Sequence, residues 1–360
     1  MCANVIRITI FGELITVSNS KRVTLMDVAR EADVSVGTVS RVLNHREGHI
    51  KISEATQNQV IEAARKLGYQ PNIFATALRT QRSGVIGAIV RDIGDPFLSL
   101  LAKEIQKKVR EHGLNLLLAN AEYDLDQAGK HIAYMHSHFF DGLLLIGDIP
   151  GDFAIINELR KSGTPYVTVA RGQSADAPIV NIDEKKGVYM GISYLRDLGH
   201  KDIAFISDLR HGGVKEREEY FQNYYKKNSL FLNKDYVKTC HSERKEAVAC
   251  AQRLLSLQQP PTAIFCATDL AAIGTMFSVL RMGLRIPEDV SVLGFDDIEI
   301  SSDFYPALST VRQPVGVMAE KAVNLLMELI NGINKDDVIE DRILVKPQLI
   351  IRQSCSACER

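Results

Sequence analysis

Val23-Thr-Leu-Met-Asp-Val-Ala-Arg-Glu-Ala-Asp-Val-Ser-Val-Gly-Thr-Val-Ser-Arg-Val-Leu-Asn44 is the stretch on which the reading of this chain turns. Thr24 precedes an apolar-periodic run and Asp27 follows three residues later, the pattern of an N-cap with an acid in the first helical turn. Leu25, Val28, Ala29 and Ala32 share one face of that helix. Asp33 falls at a turn that often needs a left-handed backbone, which Asp tolerates better than most residues. Ser35 caps a second helix that turns Val39, Val42 and Leu43 inward. Two short helices joined by a tight turn make a helix-turn-helix, whose second helix lies in the major groove with its N-terminal residues at the base edges. The outward residues are Val36, Gly37, Thr38, Ser40 and Arg41. Arg41 has the fork that fits guanine, and Thr38 and Ser40 suit phosphate oxygens. A third helix is expected from Ser53 to Leu67, with Val60, Ile61, Ala64 and Leu67 inward. A generic three-helix domain with a solvated Arg41 would show the same pattern.

The next segment narrows the choice. Gly68-Tyr69-Gln70-Pro71-Asn72 breaks the third helix. Residues 73–80 then form one helix-capable piece, too short to hold a helix alone and so expected to order only on a partner.

The bulk properties fit a DNA-binding head on a larger body. The chain has 360 residues, 46 % of them apolar, and a formal net charge of -1, more than one domain usually holds. Lys21 to Arg82 carries a net charge of +4, so the remainder sums to -5. Only the N-terminal part suits a polyanion. The scattered cysteines fit a reduced cytoplasmic protein better than a disulfide framework. Cys355 and Cys358 have the spacing of half a zinc site, but no second pair lies nearby and a polar tail is the simpler reading. The histidines at 131, 136 and 138 read as solvated residues on a helix. No apolar run spans a bilayer. Residues 1–21 are moderately apolar, but Arg7 and Glu13 interrupt them and no small-residue cleavage site follows. They are set apart as an extension without an assigned role.

From Gly84 onward, β-branched runs alternate with amphipathic helices. Val85 to Val90, Leu116 to Leu118, Gly142 to Ile146 and Tyr166 to Val169 read as strands with helices between them. The alternation restarts after Asp183, with strands at Ile203 to Ile206, Ala263 to Cys266 and Val290 to Leu293. Apolar strands alternating with helices mean parallel sheets covered on both faces. Two such runs mean two lobes, with a ligand cleft where their strand ends face each other.

In order along the chain, the head motif, the Gly68-Tyr69-x-Pro71-Asn72-x-x-Ala75-x-x-Leu78 segment, Asp95-Pro96-Phe97, Asp141-Gly142-Leu143, Leu198-Gly199-His200, Thr268-Asp269, Ile286 to Asp297 and Leu308 to Pro314 resemble the lac repressor and galactose repressor family of transcriptional regulators. The resemblance implies an α/β protein with a helix-turn-helix three-helix head (22–69), a hinge (70–83) and a periplasmic-binding-protein-like body (84–355) of two doubly wound parallel-sheet lobes. It divides the body into a first lobe of about 84–182 and 315–340 and a second of about 183–314 and 341–355. It implies a repressor controlled by a small ligand, a sugar or sugar derivative, and acting as a homodimer or higher assembly on a near-palindromic duplex. By resemblance the DNA-contacting set is Thr24, Ser35, Val36, Gly37, Thr38, Ser40, Arg41, Asn44, Tyr69, Asn72, Ala75, Leu78 and Arg79, with Leu78 wedged into a central base step of the minor groove. The ligand set is Asp95, Phe97, Arg171, Ile182, Arg217, Thr268 and Asp296. Arg and carboxylate groups suit vicinal hydroxyls, and an apolar ring suits a sugar's C–H face.

Three positions depart from the family pattern: Ala170 replaces an acid, Thr268 replaces an amide and Tyr220 stands where a glycine is usual. They point to an unusual ligand, an acidic sugar or sugar phosphate, or to a weak response. The Asn44 to Ser53 turn is longer than is common and adds Arg46, His49 and Lys51. A periplasmic transport receptor would share the body, but it would have a secretory signal and no head. An enzyme on this scaffold is the other rival. The chain shows no phosphate loop, no nucleophile elbow and no His/Cys metal set, so no catalytic residue, metal or cofactor is expected.

Overall fold

The computed structural model describes residues 5–10, 13–18, 23–43, 52–69, 82–149, 151–172, 177–208, 212–240, 243–332 and 342–359. The chain forms two units, Met1–Thr76 and Ala77–Arg360. The first begins with a hairpin in which β1 (Val5–Ile10) pairs antiparallel with β2 (Glu13–Ser18).

Three helices follow, α1 (Leu25–Glu31), α2 (Val36–Leu43) and α3 (Glu54–Leu67). Val28, Ala29, Ala32, Val39, Val42, Val60, Ala63 and Ala64 make their common core. Ile61, expected inside, is 50 % exposed. Positions 60, 63, 64 and 67 lie within one helical stripe, and 61 is a step of about 100° away from Val60, so Ala63 takes the inward place. Gly68, at φ 65°, ends α3 in the left-handed conformation that costs glycine little.

The second unit holds two six-stranded sheets, ordered β13-β7-β6-β5-β3-β4 and β14-β12-β11-β10-β8-β9. The first contains β3 (Val85–Val90), β4 (Asn115–Asn120), β5 (Gly142–Ile146), β6 (Tyr166–Val169), β7 (Ile179–Ile182) and β13 (Arg342–Val345), all parallel. The second contains β8 (Ile203–Asp208), β9 (Val237–Cys240), β10 (Ala263–Cys266), β11 (Ser291–Asp296), β12 (Ser309–Arg312) and β14 (Gln348–Ile350). Only β14 runs antiparallel there, against β12. Every residue of β3, β5, β6, β7, β10 and β11 is buried, as strands covered on both faces must be. The covering helices of the first lobe are α4 (Pro96–Glu111), α5 (Leu125–Ser137) and α6 (Phe153–Ser162). Those of the second are α7 (Glu184–Asp197), α8 (Gly212–Lys227), α9 (Glu243–Leu255), α10 (Asp269–Arg281) and the single turn α11 (Ile300–Asp303). The last helix, α12 (Val315–Ile330), returns to the first lobe and packs on α4 and β6.

Two boundaries differ from expectation. The final return to the second lobe was expected at 341, but β13 pairs with β7, Leu344 opposite Asn181, so the chain crosses after Val345. The alternating apolar pattern of Ile343 and Val345 fits an added edge strand as well as a new lobe, and only the pairing decides. The segment beyond 350 is not a loose polar tail. Ser354 is fully buried, its hydroxyl accepts from Ser309 N–H at 2.8 Å and donates to the Val292 carbonyl at 2.6 Å, and Cys358 N–H donates to the Leu198 carbonyl at 2.7 Å. The body therefore runs past 355.

Candidate functional site

The head presents its candidate groups by capping. Thr24 and Asp27 close a reciprocal box: Asp27 N–H donates to Thr24 Oγ1 at 3.4 Å and Thr24 N–H to Asp27 Oδ2 at 2.9 Å. Asp33 turns the chain at φ 47°. Ser35 Oγ accepts from Thr38 N–H at 3.1 Å and so fixes the first turn of α2. Val39 and Val42 face the core while Ser35, Val36 and Gly37 are exposed and Thr38, Ser40 and Arg41 are half-buried. Arg41 Nε reaches back to the Gly37 carbonyl at 3.4 Å, a long bond that leaves most of the guanidinium fork uncommitted to it. Lys66 on α3 joins Glu31 on α1 at 2.6 Å. Tyr69 packs beside the head core, where burial pushes its phenol up. Asn44, Asn72, Ala75, Leu78 and Arg79 lie outside the described residues, as does most of the long turn before Ser53.

The ends of the strands in the two lobes enclose a cleft of about 540 Å³, including space open to solvent. Asp95, Phe97, Arg217, Thr268 and Asp296 line it together. Asp95 caps α4, accepting from Phe97 N–H at 2.9 Å and Leu98 N–H at 3.3 Å, and receives the Arg91 guanidinium. Thr268 caps α10, accepting from Ala271 N–H at 3.2 Å. Asp296 ends β11 with φ 124°, a conformation that L-residues seldom adopt.

Arg217 is the centre of the second lobe's wall. It donates to Glu184 through Nε at 2.7 Å and Nη2 at 3.0 Å, to the Ala267 carbonyl at 2.6 Å and to Asp296 at 3.3 Å. Its guanidinium lies 3.7 Å from the centroid of the Phe295 ring, a stacked arrangement that Arg makes and Lys does not. Burial works against its charge, but Glu184 and then Asp296 outweigh that and hold it above its ordinary range. Burial pushes both Glu184 and Asp296 up, with Arg217 pulling the other way. Gln313 donates its side-chain N–H to Asp296 Oδ1 at 2.7 Å, fixing the carboxylate toward the cleft.

Two members of the expected ligand set are elsewhere. Ile182 is packed into the second lobe's core with Val188 and Phe295. Arg171 is buried behind the lining, donating to Asp152 Oδ1 at 2.8 Å and lying 3.7 Å from Asp148. Its backbone neighbour Ala170 lines the cleft instead. Conversely, Arg91, Asp148, Glu184 and Gln313 line the cleft without having been singled out in the sequence. Each follows a strand by one or two residues: Arg91 after β3, Asp148 after β5, Glu184 after β7 and Gln313 after β12. Position at the carboxyl end of a parallel strand was the available signal.

Among the described residues no group of His, Cys, Asp and Glu is arranged to hold a metal ion. The helical histidines are not simply solvated: His131 bonds the Asn120 carbonyl at 3.2 Å, His136 bonds Thr164 at 3.1 Å and His138 stacks on Tyr134. No helix of the described residues is long and apolar enough to cross a membrane.

Comparison with known proteins supplies the context. The profile described as "Bacterial regulatory proteins, lacI family" matches residues 24–72, and that of a "Periplasmic binding protein-like domain" matches 192–355. The chain is 32 % identical over 336 residues to the HTH-type transcriptional repressor CytR of Escherichia coli (strain K12), covering 93 % of this chain and 96 % of that one. It is 30 % identical over 334 residues to the repressor PurR of Haemophilus influenzae (strain PittEE), covering 92 % and 98 %. Among solved structures, a lac repressor dimer bound to operator and the anti-inducer ONPF matches with a TM-score of 0.85 at 25 % identity, over 94 % of this chain and all of that one. A complex of the regulator CelR with cellobiose matches with a TM-score of 0.67 at 27 % identity, over 92 % of this chain and 100 % of that one.

Proposed function

This chain belongs to the lacI family of bacterial regulatory proteins, and from that premise we propose how it works as a ligand-controlled transcriptional repressor. Two copies bind a near-palindromic duplex, each laying the first turn of α2 in the major groove. The observation that carries this is the division of labour: a head whose Ser35-to-Arg41 face is turned away from its own core, and a separate unit whose two lobes line a polar cleft. Arg41 reads a base edge, Ser35, Thr38 and Ser40 hold phosphates, and the segment 70–83 serves as the hinge with Leu78 as the minor-groove wedge. Apolar side chains exposed on β4 (Leu117, Leu118) and along α10 (Phe277, Leu280) suit pairing of two copies.

The effector is a small saccharide-type ligand held by Asp95, Phe97, Arg217, Thr268 and Asp296, in keeping with the cellobiose held by the related CelR. Its binding favours one arrangement of the lobes, and only a difference in affinity between arrangements can act on DNA binding; such coupling is typically about 1–3 kcal/mol. The protein works in the cytoplasm and catalyses no reaction, as its relatives are repressors rather than enzymes. Selection from randomised duplexes tests this: it should return a two-fold symmetric site, bound with steep salt dependence as counterions are released. Leu78→Ala should lose the site but keep nonspecific binding. No enrichment of any site, or salt-insensitive binding, overturns the proposal.

A further inference from the structure

We propose that the groove between α7 and α8, on the surface of the second lobe, docks an acidic segment of a partner protein. The groove shares no lining residue with the effector cleft and does not rest on that cleft's reading. Its larger opening encloses about 820 Å³, counting space open to solvent, and a second opening shares Lys185 and Tyr189 with it. Lys185 and Lys186 reach it from α7, Lys226 and Lys227 from α8, and Tyr189 and Tyr220 line it with them. The four lysines are exposed and the two tyrosines half-buried. None of the four ammoniums is joined to a carboxylate among the described residues. The one acid in the lining, among those residues, is Asp183, which caps α7 by accepting from Lys186 N–H at 3.0 Å.

Helix stability alone does not account for these lysines. Lys226 and Lys227 end α8, where the helix dipole favours a cation, but Lys185 and Lys186 sit in the first turn of α7, where it does not. Lys185 lies over the Tyr189 ring, 5.8 Å from its centroid, and Tyr189 meets Tyr224 edge-on at 5.1 Å. Tyr220 adds a further ring where a glycine is usual, and the effector cleft does not use it. Arg217 and Glu184 tie the two helices together, so the groove is formed before a partner arrives and binding needs little reordering. Tyrosine offers a wide contact with a polar tip, and lysines without partners steer an acidic surface toward it. The occupant follows from charge and shape. A small anion would stay largely in water in so open a groove, whereas small-ligand sites bury most of what they hold. Duplex DNA would meet the rest of an acidic body, since the chain outside Lys21 to Arg82 sums to -5. A short acidic segment feels only the charges within about 8 Å at physiological salt, and here those are chiefly lysines.

The test is selection of a displayed library of short random peptides on the full chain. It should return peptides rich in Asp and Glu. Their affinity, read by fluorescence anisotropy, should fall about tenfold with Lys185→Glu plus Lys226→Glu, by less with the neutral pair Lys185→Gln plus Lys226→Gln, and again as KCl is raised. Tyr220→Gly should weaken it severalfold, and Arg41→Ala, on the head, should leave it unchanged. No enrichment of acidic peptides, or none that loses affinity for the charge-reversed protein, overturns the proposal. Displacement by inorganic phosphate at constant ionic strength means an anion site and overturns it too. So does weaker nonspecific duplex binding by the charge-reversed protein, which means a DNA-contacting surface, or an altered assembly mass by light scattering, which means an interface between copies. Asp336→Asn, Asp337→Asn, Glu340→Gln and Asp341→Asn together test the chain's own acidic segment. A gain in peptide affinity of about tenfold or more means that this segment fills the groove, and the proposal falls.

Discussion

Arg217 and Glu184 are joined by two parallel hydrogen bonds, 2.7 Å from Nε to Oε2 and 3.0 Å from Nη2 to Oε1, with both side chains buried. Glu184 opens α7 just after the crossing between lobes, and Arg217 stands on the neighbouring helix α8. The pair therefore ties the start of the second lobe to the helix that walls its side of the cleft. A buried ion pair adds little against an apolar replacement, but removing one partner leaves an uncompensated charge. Arg217→Ala should thus lower stability by about 3–5 kcal/mol as well as abolish effector binding. Replacing both residues, Arg217→Met with Glu184→Leu, should recover part of the stability and none of the binding. Urea unfolding measures this, and an Arg217→Ala protein as stable as wild type would show that the pair carries no structural role.

Gly294 shows how tightly the floor of the site is built. A Cβ there would lie 2.2 Å from Asp269 Oδ1 and 3.0 Å from Leu308. Asp269 cannot move aside, because it accepts from Ile298 N–H at 2.9 Å, Ser301 at 2.7 Å and Thr310 at 2.6 Å. Gly294→Ala should therefore cost about 1–3 kcal/mol or more from overpacking. It should also shift the loop bearing Asp296 and Ile298 and weaken effector binding. Gly316→Ala is the control, since nothing lies within 4 Å of a Cβ there and alanine favours a helix by up to about 1 kcal/mol. Equal melting temperatures for the two variants would contradict this account.

Arg41 gives the DNA-side prediction. With only a 3.4 Å bond to its own helix, its fork remains available to a base. Arg41→Ala should cost about 1–3 kcal/mol on the preferred duplex and relax one base position in each half-site. Ser40→Ala should instead weaken all sequences alike. If selection with Arg41→Ala returns the unchanged site at unchanged strength, Arg41 is a structural or backbone-contacting residue.

What was legible in the sequence follows from which interactions are local. Caps are local, so Thr24, Ser35 and Ser53 marked their helices from neighbouring residues alone. Long buried strands such as β3 stand out as apolar runs. The four-residue β12, Ser309–Arg312, is almost as buried but polar in composition. Its place in the sheet comes from partners far along the chain, such as Ser354 on Ser309 N–H. The cleft shows the same division. Asp95 and Asp296 came from the family resemblance, whereas Glu184 required knowing that Arg217, 33 positions away, folds over it. Arg171 misled for the converse reason: its position after a strand was right, but Asp152 draws it behind the lining.

His200 links the tail to the second lobe and makes that link sensitive to pH. Its Nε2 lies 3.1 Å from the Ser356 carbonyl and 3.1 Å from Ser291 Oγ, and its Nδ1 lies 2.9 Å from Thr262 Oγ1. A carbonyl can only accept, so Nε2 carries the proton and Nδ1 accepts from the Thr262 hydroxyl. Burial pulls the imidazole below its ordinary value of 6.5, with the Ser356 carbonyl acting the other way. In the unfolded chain the ring takes up a proton as pH falls through about 6.5, while the folded protein resists doing so. The stabilisation is therefore complete above that pH and is lost as pH falls from 6.5 toward the lower folded value, by at most about 1.4 kcal/mol per unit. Glu184, Asp269 and Asp296 titrate with the opposite sign, because burial raises them, but they are shared by a His200→Gln variant and cancel in the comparison. The stability gap between wild type and His200→Gln, measured by urea unfolding at pH 8, 7, 6 and 5.5, should be widest at pH 8 and narrow below 6.5. A gap that is constant across this range would mean that His200 is not protonated preferentially on unfolding, and its packing alone would account for its role.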